Sequence, residues 1–100
     1  MTLHCEQVPY PRLAEEFGTP LYVYSQSALT EAFENYQTAF AALSPLVCYA
    51  VKANGNLSII KHFASLGSGF DIVSGGELAR VLAAGGDAAK TIFSGVGKSE

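Results

Sequence analysis

The chain has 100 residues and a formal net charge of −3, with 49% hydrophobic and only 15% charged residues. This composition excludes an intrinsically disordered chain, which needs low hydrophobicity and high net charge. The absence of a Lys/Arg cluster argues against nucleic acid or an anionic membrane as the main partner. No apolar run approaches the roughly 18 residues of a membrane span, and the first residues lack a signal-peptide pattern. We therefore expect a soluble cytoplasmic protein whose two cysteines, Cys5 and Cys48, are reduced thiols.

The first 45 residues divide into a loop, a strand and a helix. Proline and glycine punctuate residues 1–20, which predicts loop with one short helix near 12–17. The β-branched and aromatic residues at 21–25 predict a strand. Ser27 is the expected N-cap of a helix that runs to about residue 43. Its apolar residues recur at helical spacing on one face: Leu29, Phe33, Tyr36, Phe40 and Leu43.

The rest of the chain repeats one pattern with a period of about 22 residues. Continuous apolar runs at 46–51, 69–73 and 91–94 predict strands. Amphipathic segments at 57–66, capped by Asn56, and at 76–84 predict helices between them. Strands that alternate with short helices indicate βαβ units and a parallel sheet, whose two covered faces explain why the strands are apolar throughout.

The expected architecture is α/β, as the first three β/α strands of a partial (β/α)8 TIM barrel. A whole barrel takes about 250 residues, of which this chain supplies roughly a third. The low charge fits that interpretation, because a small independent domain leaves much of its surface in water. We divide the chain into an N-terminal segment, 1–25, and an incomplete barrel, 26–100. Taken alone, the 100 residues are expected to aggregate and to be inactive, because the sheet edges are open.

Polar or glycine-rich residues follow all three barrel strands, where functional groups gather in parallel α/β folds. Lys52 comes directly after the first strand and shares a face by alternation with Cys48 and Ala50. A partly buried lysine has a lowered pKa and a free amine for Schiff-base chemistry. The alternative is a lysine that extends to solvent at a strand end.

Asp71 and Glu77 are the acidic candidates. Asp71 lies within the second apolar strand, where an unpaired buried charge is costly, so it either orients a cofactor or forms a structural ion pair. Ser74 and Glu77 have capping-box spacing, which is sufficient to explain Glu77. Gly75 and Gly76 allow either close approach of a ligand or a tight turn.

Two nucleotide-binding patterns fail, and no metal site is predicted. The segment that ends at Lys98 lacks the first P-loop glycine, because position 92 is Ile. The glycines at 67 and 69 miss the dinucleotide pattern, since position 72 is also Ile. His4 and His62 have no partners at metal-ligand spacing.

Four segments resemble one enzyme family. The sequence Tyr-Ala-Val-Lys-Ala-Asn at 49–54 resembles the cofactor-lysine motif of the pyridoxal-phosphate decarboxylases with an alanine-racemase-type barrel. Segments 19–24, 69–78 and 93–99 resemble the diaminopimelate decarboxylase branch more specifically. The related ornithine and arginine decarboxylases usually have cysteine at the position of Ala53 and lack Ser-Gly-Gly-Glu at 74–77. The resemblance covers residues 19–100 in order.

The resemblance implies a pyridoxal 5′-phosphate enzyme that decarboxylates meso-2,6-diaminopimelate to L-lysine, the last step of lysine biosynthesis. Lys52 would hold the cofactor through its amine as the catalytic residue, and Asp71 would lie close to the cofactor. The substrate would be a small amino acid, and the full-length enzyme a homodimer with active sites at its interface. The N-terminal strand would pack with a C-terminal β domain, and most of the site would lie beyond residue 100.

Two alternatives stay open at this point. The same barrel and cofactor could serve an ornithine or arginine decarboxylase or an amino-acid racemase. The chain could instead be a non-catalytic pyridoxal-phosphate carrier or a small α/β binding module that is complete at 100 residues.

Overall fold

The fold is a three-stranded parallel sheet with helices against one face, preceded by a small hairpin and two helices. A computed structural model describes residues 1–97, so Lys98 and Ser99, in the glycine-rich segment that follows the third barrel strand, lie outside the described residues. The strands are β1 (His4–Cys5), β2 (Val8–Pro9), β3 (Cys48–Ala50), β4 (Gly69–Ile72) and β5 (Thr91–Phe93). The helices are α1 (Tyr10–Phe17), α2 (Gln26–Ala39), α3 (Leu57–Ser65) and α4 (Gly75–Ala83). Short 3-10 turns lie at Ala41–Leu43, Val51–Ala53 and Ala88–Lys90.

The main sheet has the order β3-β4-β5, with both pairs parallel. Ala50 pairs with Asp71, and Asp71 pairs with Ile92 on the other side. Sequential parallel strands joined by helices on one face are the arrangement of a β/α barrel, whereas doubly wound sheets reverse their strand order. The predicted α/β class and all three barrel strands are therefore confirmed, each ending one residue earlier than predicted.

The core lies between the sheet and the helices. Eight side chains form it: Phe33, Val51, Ile59, Ile60, Phe63, Phe70, Ile72 and Val81. Phe70, Ile60 and Val81 are fully inaccessible to solvent. On α2, however, only Phe33 is buried, and Tyr36 stays exposed. The helix ends at Ala39 rather than near the predicted residue 43, so Phe40 and Leu43 lie beyond it and are exposed as well. Phe33 is thus the residue of the predicted apolar face that is buried within residues 1–97.

The helix caps follow the sequence with one correction. Asn56 caps α3 as predicted, and its side-chain oxygen accepts a hydrogen bond from Ser58 N at 2.9 Å. The cap of α2 is Ser25, not Ser27, because Ser25 Oγ accepts from Ala28 N at 3.2 Å. The Ser27 hydroxyl and amide instead donate to the carboxylate of Glu6. Two acceptors therefore share the N-terminal amides of α2, and either serine would satisfy the capping pattern in the sequence.

The N-terminal segment differs most from the prediction. Residues 21–25 form no strand, because a strand needs a hydrogen-bonded neighbour and residues 1–97 provide none there. The segment predicted as loop contains the hairpin of β1 and β2, whose register pairs Cys5 with Val8. The short helix near 12–17 is confirmed as α1, which begins two residues earlier with Pro11 in its first turn. None of the helices in the described part of the chain is long and apolar enough to cross a membrane.

Candidate functional site

The candidate lysine lies on a turn rather than on a strand. β3 ends at Ala50, and Val51–Ala53 form a 3-10 turn, so the alternation that placed Lys52 on one face with Ala50 ends before it. Val51 is 1% exposed and anchors the turn in the core. Lys52 itself is exposed. Of the two alternatives predicted for Lys52, the described structure therefore shows the lysine that extends to solvent.

Two side-chain hydrogen bonds, one local and one long-range, hold the loop that follows Lys52. The Tyr49 hydroxyl donates to the Asn54 carbonyl at 2.8 Å, across the turn. Arg80 on α4 donates from Nη1 to the Gly55 carbonyl at 3.2 Å. The main chain closes the turn itself, with Asn54 N donating to the Val51 carbonyl at 3.1 Å. The loop that carries the amine is thus fixed from both α4 and β3.

Tyr49 is rigid because its ring is packed. It stacks on Phe63 of α3 with a centroid separation of 4.5 Å and an interplanar angle of 20°. Partial burial raises the pKa of the Tyr49 phenol, so the hydroxyl stays protonated and remains a donor. The contacts of Tyr49 and Arg80 with the loop were not predicted, because residue type does not relate either side chain to a loop carbonyl and Arg80 lies 25 residues from Gly55.

Asp71 lies on the sheet face that points away from the helices. Its neighbours Phe70 and Ile72 point to the core and are buried, whereas Asp71 is only half-buried. The predicted structural ion pair is absent among the described residues. The carboxylate accepts a hydrogen bond from Ser94 Oγ at 2.5 Å instead. Ser94 follows β5 directly, so two adjacent strand ends meet through these side chains.

The predicted capping box at Ser74 and Glu77 forms in part. Ser74 Oγ accepts from Glu77 N at 3.1 Å, as the motif requires. The Glu77 carboxylate accepts from Val73 N at 3.1 Å, one residue before the cap. A capping role therefore accounts for Glu77 in the described structure. A Cβ added at Gly75 would meet no atom within 4 Å, and one added at Gly76 would meet only Ser74 Oγ, at 3.8 Å. Lack of room for a side chain therefore does not explain why glycine stands at these two positions.

Small residues surround Asp71 on its face of the sheet. Cys48 and Gly69 are paired in register and share this face with Asp71. A Cβ on Gly69 would lie 2.6 Å from both Cys48 Sγ and the Lys90 carbonyl oxygen, so side chains and strands approach closely there. Burial, followed by the nearby charge of Asp71, raises the pKa of the Cys48 thiol. The thiol is therefore neutral beside the carboxylate.

Comparisons with known proteins agree with this arrangement. Residues 26–100 match the family described as pyridoxal-dependent decarboxylase, pyridoxal binding domain. The chain is 96% identical, over all 100 residues, to the diaminopimelate decarboxylase of Neisseria meningitidis serogroup B, of which it covers 24%. The chain thus spans about a quarter of the length of the curated relatives that it matches.

Solved structures give the same result for the fold. Diaminopimelate decarboxylase from M. jannaschii in complex with L-lysine superposes with a TM-score of 0.92 at 36% identity, over 98% of this chain and 24% of that one. The Helicobacter pylori enzyme, also in complex with L-lysine, superposes with a TM-score of 0.84 at 48% identity, over 90% of this chain and 23% of that one. These superpositions support the partial barrel derived from the strand order.

Proposed function

The chain belongs to the family of pyridoxal-dependent decarboxylases, and on that premise we propose that it carries the cofactor lysine of a diaminopimelate decarboxylase. The reaction removes one carboxyl group from meso-2,6-diaminopimelate and yields L-lysine. The observation that carries this proposal is the 96% identity over the whole chain to a diaminopimelate decarboxylase. The L-lysine in the complexes of two structural relatives supports the same product.

The described residues fit the cofactor in their chemistry. Lys52 has an exposed primary amine at the carboxyl edge of β3, and an amine is the group that condenses with the aldehyde of pyridoxal phosphate. Asp71 offers a carboxylate at the same edge, with small side chains beside it. Bound pyridoxal phosphate supplies an electron sink for the carbanion that remains when carbon dioxide leaves.

The residues of this chain would bind and orient the pyridoxal phosphate. Lys52 would hold the cofactor through its side-chain amine. Tyr49 and Arg80 keep the lysine loop in place through the carbonyls of residues 54 and 55. Asp71, which pairs in register with Ala50 at the end of β3, would present a carboxylate whose Oδ1 is held by the Ser94 hydroxyl. The loop is thus arranged before the cofactor arrives, which lowers the entropic cost of binding.

We assign the remaining parts of the enzyme by the same resemblance. The full-length protein is a cytoplasmic homodimer with active sites at its interface, and residues 1–25 pack with a C-terminal β domain. The exposed apolar residues of this segment, Leu21, Tyr22, Val23 and Tyr24, fit such a contact because exposed apolar patches mark interfaces. A second subunit packed over the carboxyl edge of β3 would also bury Lys52.

The test uses a full-length protein that carries this segment. Reduction with borohydride in the presence of pyridoxal phosphate should label a single lysine, and peptide mapping should place the label on Lys52. Lys52→Ala should lose both the label and carbon dioxide release from diaminopimelate. Lys61→Ala, an exposed lysine on α3, is the matched control and should keep both.

Two results would contradict the proposal in different ways. A label on another lysine, or full turnover by Lys52→Ala, would reject Lys52 as the cofactor residue. Faster carbon dioxide release from ornithine or arginine than from diaminopimelate would keep the cofactor site and replace the substrate.

A further inference from the structure

The end of β5 brings a serine hydroxyl onto the candidate aspartate of β4. Ser94 N donates to the Ile72 carbonyl at 3.0 Å, so its main chain is held against β4. Asp71 pairs with Ile92, and Ser94 lies two residues further along, which places Asp71 and Ser94 on the same face of the sheet. The contact between their side chains follows from the register of the two strands.

The hydrogen bond leaves one oxygen of the carboxylate available. Ser94 Oγ donates to Asp71 Oδ1 at 2.5 Å. Within residues 1–97, Oδ2 of Asp71 accepts no hydrogen bond. An aspartate side chain rotates freely about its last bond unless a partner restrains it, so the Ser94 hydroxyl determines which way the free oxygen points.

This pairing is not needed to satisfy either group. Asp71 is only half-buried and Ser94 is exposed, so water can hydrate both in the described structure. Asp71 is also the only charged residue in β3, β4 and β5. A lone carboxylate on that face with one oriented oxygen is better explained by a ligand than by the stability of the sheet.

We propose that Ser94 is a positioning residue, which acts through Asp71 by holding its carboxylate in the orientation that the cofactor site needs. The inference rests on the proposed function, because it assigns the free oxygen of Asp71 to the bound pyridoxal phosphate or its lysine. Ser94 itself touches neither. Its loss therefore matters only while the carboxylate is present.

The test is a double-mutant cycle read out as the dissociation constant of pyridoxal phosphate from the full-length apoprotein. Ser94→Ala should weaken binding about tenfold, the size of a typical hydrogen bond to a charged group. In an Asp71→Ala background, which leaves no side-chain acceptor for the hydroxyl, the same substitution should change the dissociation constant less than about twofold. Equal effects in the two backgrounds would overturn the proposal, because they indicate a structural role independent of Asp71.

A matched pair of variants guards against misfolding. Ser94→Thr and Ser94→Val have nearly the same shape and differ in the hydroxyl, so the Thr variant should bind the cofactor about tenfold more tightly than the Val variant. Equal binding by the two would refute a role for the hydroxyl. The borohydride label separates this result from the proposed function. If Lys52 is labelled but the Ser94 substitutions leave cofactor binding unchanged, only this inference is rejected. If Lys52 is not labelled, the cofactor site itself is rejected.

Discussion

The hydrogen bond from Tyr49 to the lysine loop gives the sharpest test of how this site is built. Tyr49→Phe removes the hydroxyl that donates to the Asn54 carbonyl at 2.8 Å. The ring keeps its stacking on Phe63, with centroids 4.5 Å apart, so the packing of α3 against β3 should persist. The substitution thus isolates the contact that ties the end of β3 to the loop after Lys52.

The magnitude follows from the type of contact. A neutral hydrogen bond contributes about 0.5–1.5 kcal/mol, so local opening of the loop should become about two- to thirteenfold more frequent. The Asn54 amide is the reporter, because it donates to the Val51 carbonyl at 3.1 Å within the same turn. Its hydrogen exchange should accelerate by that factor, while exchange in the core of α3 should not change.

The assay is hydrogen–deuterium exchange of the full-length protein, resolved to the peptide that contains Asn54. Tyr36→Phe is the matched control, because Tyr36 is 62% exposed and its hydroxyl makes no hydrogen bond within residues 1–97. It should leave exchange at the loop unchanged. If Tyr49→Phe also leaves that exchange unchanged, the hydroxyl does not restrain the lysine loop and the reasoning fails.

Three further outcomes follow from single contacts. Gly69→Ala should destabilise the full-length protein by about 1–3 kcal/mol in urea denaturation, because the new Cβ would lie 2.6 Å from the carbonyl oxygen of Lys90. An unchanged free energy of unfolding would contradict that close approach. Asp71→Asn should lower the raised pKa of the Cys48 thiol, because it removes the nearby negative charge, and should therefore speed alkylation of Cys48 at pH 8, measured by peptide-resolved mass spectrometry. Alkylation at an equal or slower rate than in wild type would contradict this charge effect. Hydrogen bonds from Ser27 and Ser25 lower the pKa of Glu6 below 4.5, so the ionised carboxylate stabilises the fold above that pH and the stabilisation is lost as the pH falls through the lowered pKa. Glu6→Gln should therefore melt at a lower temperature than wild type at pH 7 and at the same temperature in acid. A difference in melting temperature that does not change with pH would contradict this prediction.

The amino-acid sequence was sufficient where the determining interactions are local. The caps at Asn56 and Ser74 and the apolar spacing of α3 depend on neighbours within a few residues, and they were predicted correctly. The three strands of the main sheet were also predicted, because each is a contiguous apolar run in the sequence. The family was also identified from short motifs around Lys52 and Asp71, because the residues that carry the resemblance are contiguous.

The errors occurred where a residue depends on distant chain. A strand at 21–25 needs a partner that residues 1–97 do not provide, and the apolar end of α2 needs a packing surface in the same way. Around the cap of α2, both Ser25 and Ser27 donate to Glu6, which is 19 residues from the first and 21 from the second, and this contact was not predicted.

The low charge and the length of the chain, together with the strand pattern, were sufficient to predict part of a larger barrel with a lysine at a strand end. Only the tertiary structure revealed the hydrogen bonds of the candidate site: Tyr49 and Arg80 donate to carbonyls of the lysine loop, and Ser94 donates to the carboxylate of Asp71. The last two of these contacts join residues 25 and 23 positions apart. The contact between Asp71 and Ser94 forms because parallel strands bring successive strand ends to one edge, and that of Arg80 with Gly55 because α4 packs beside α3.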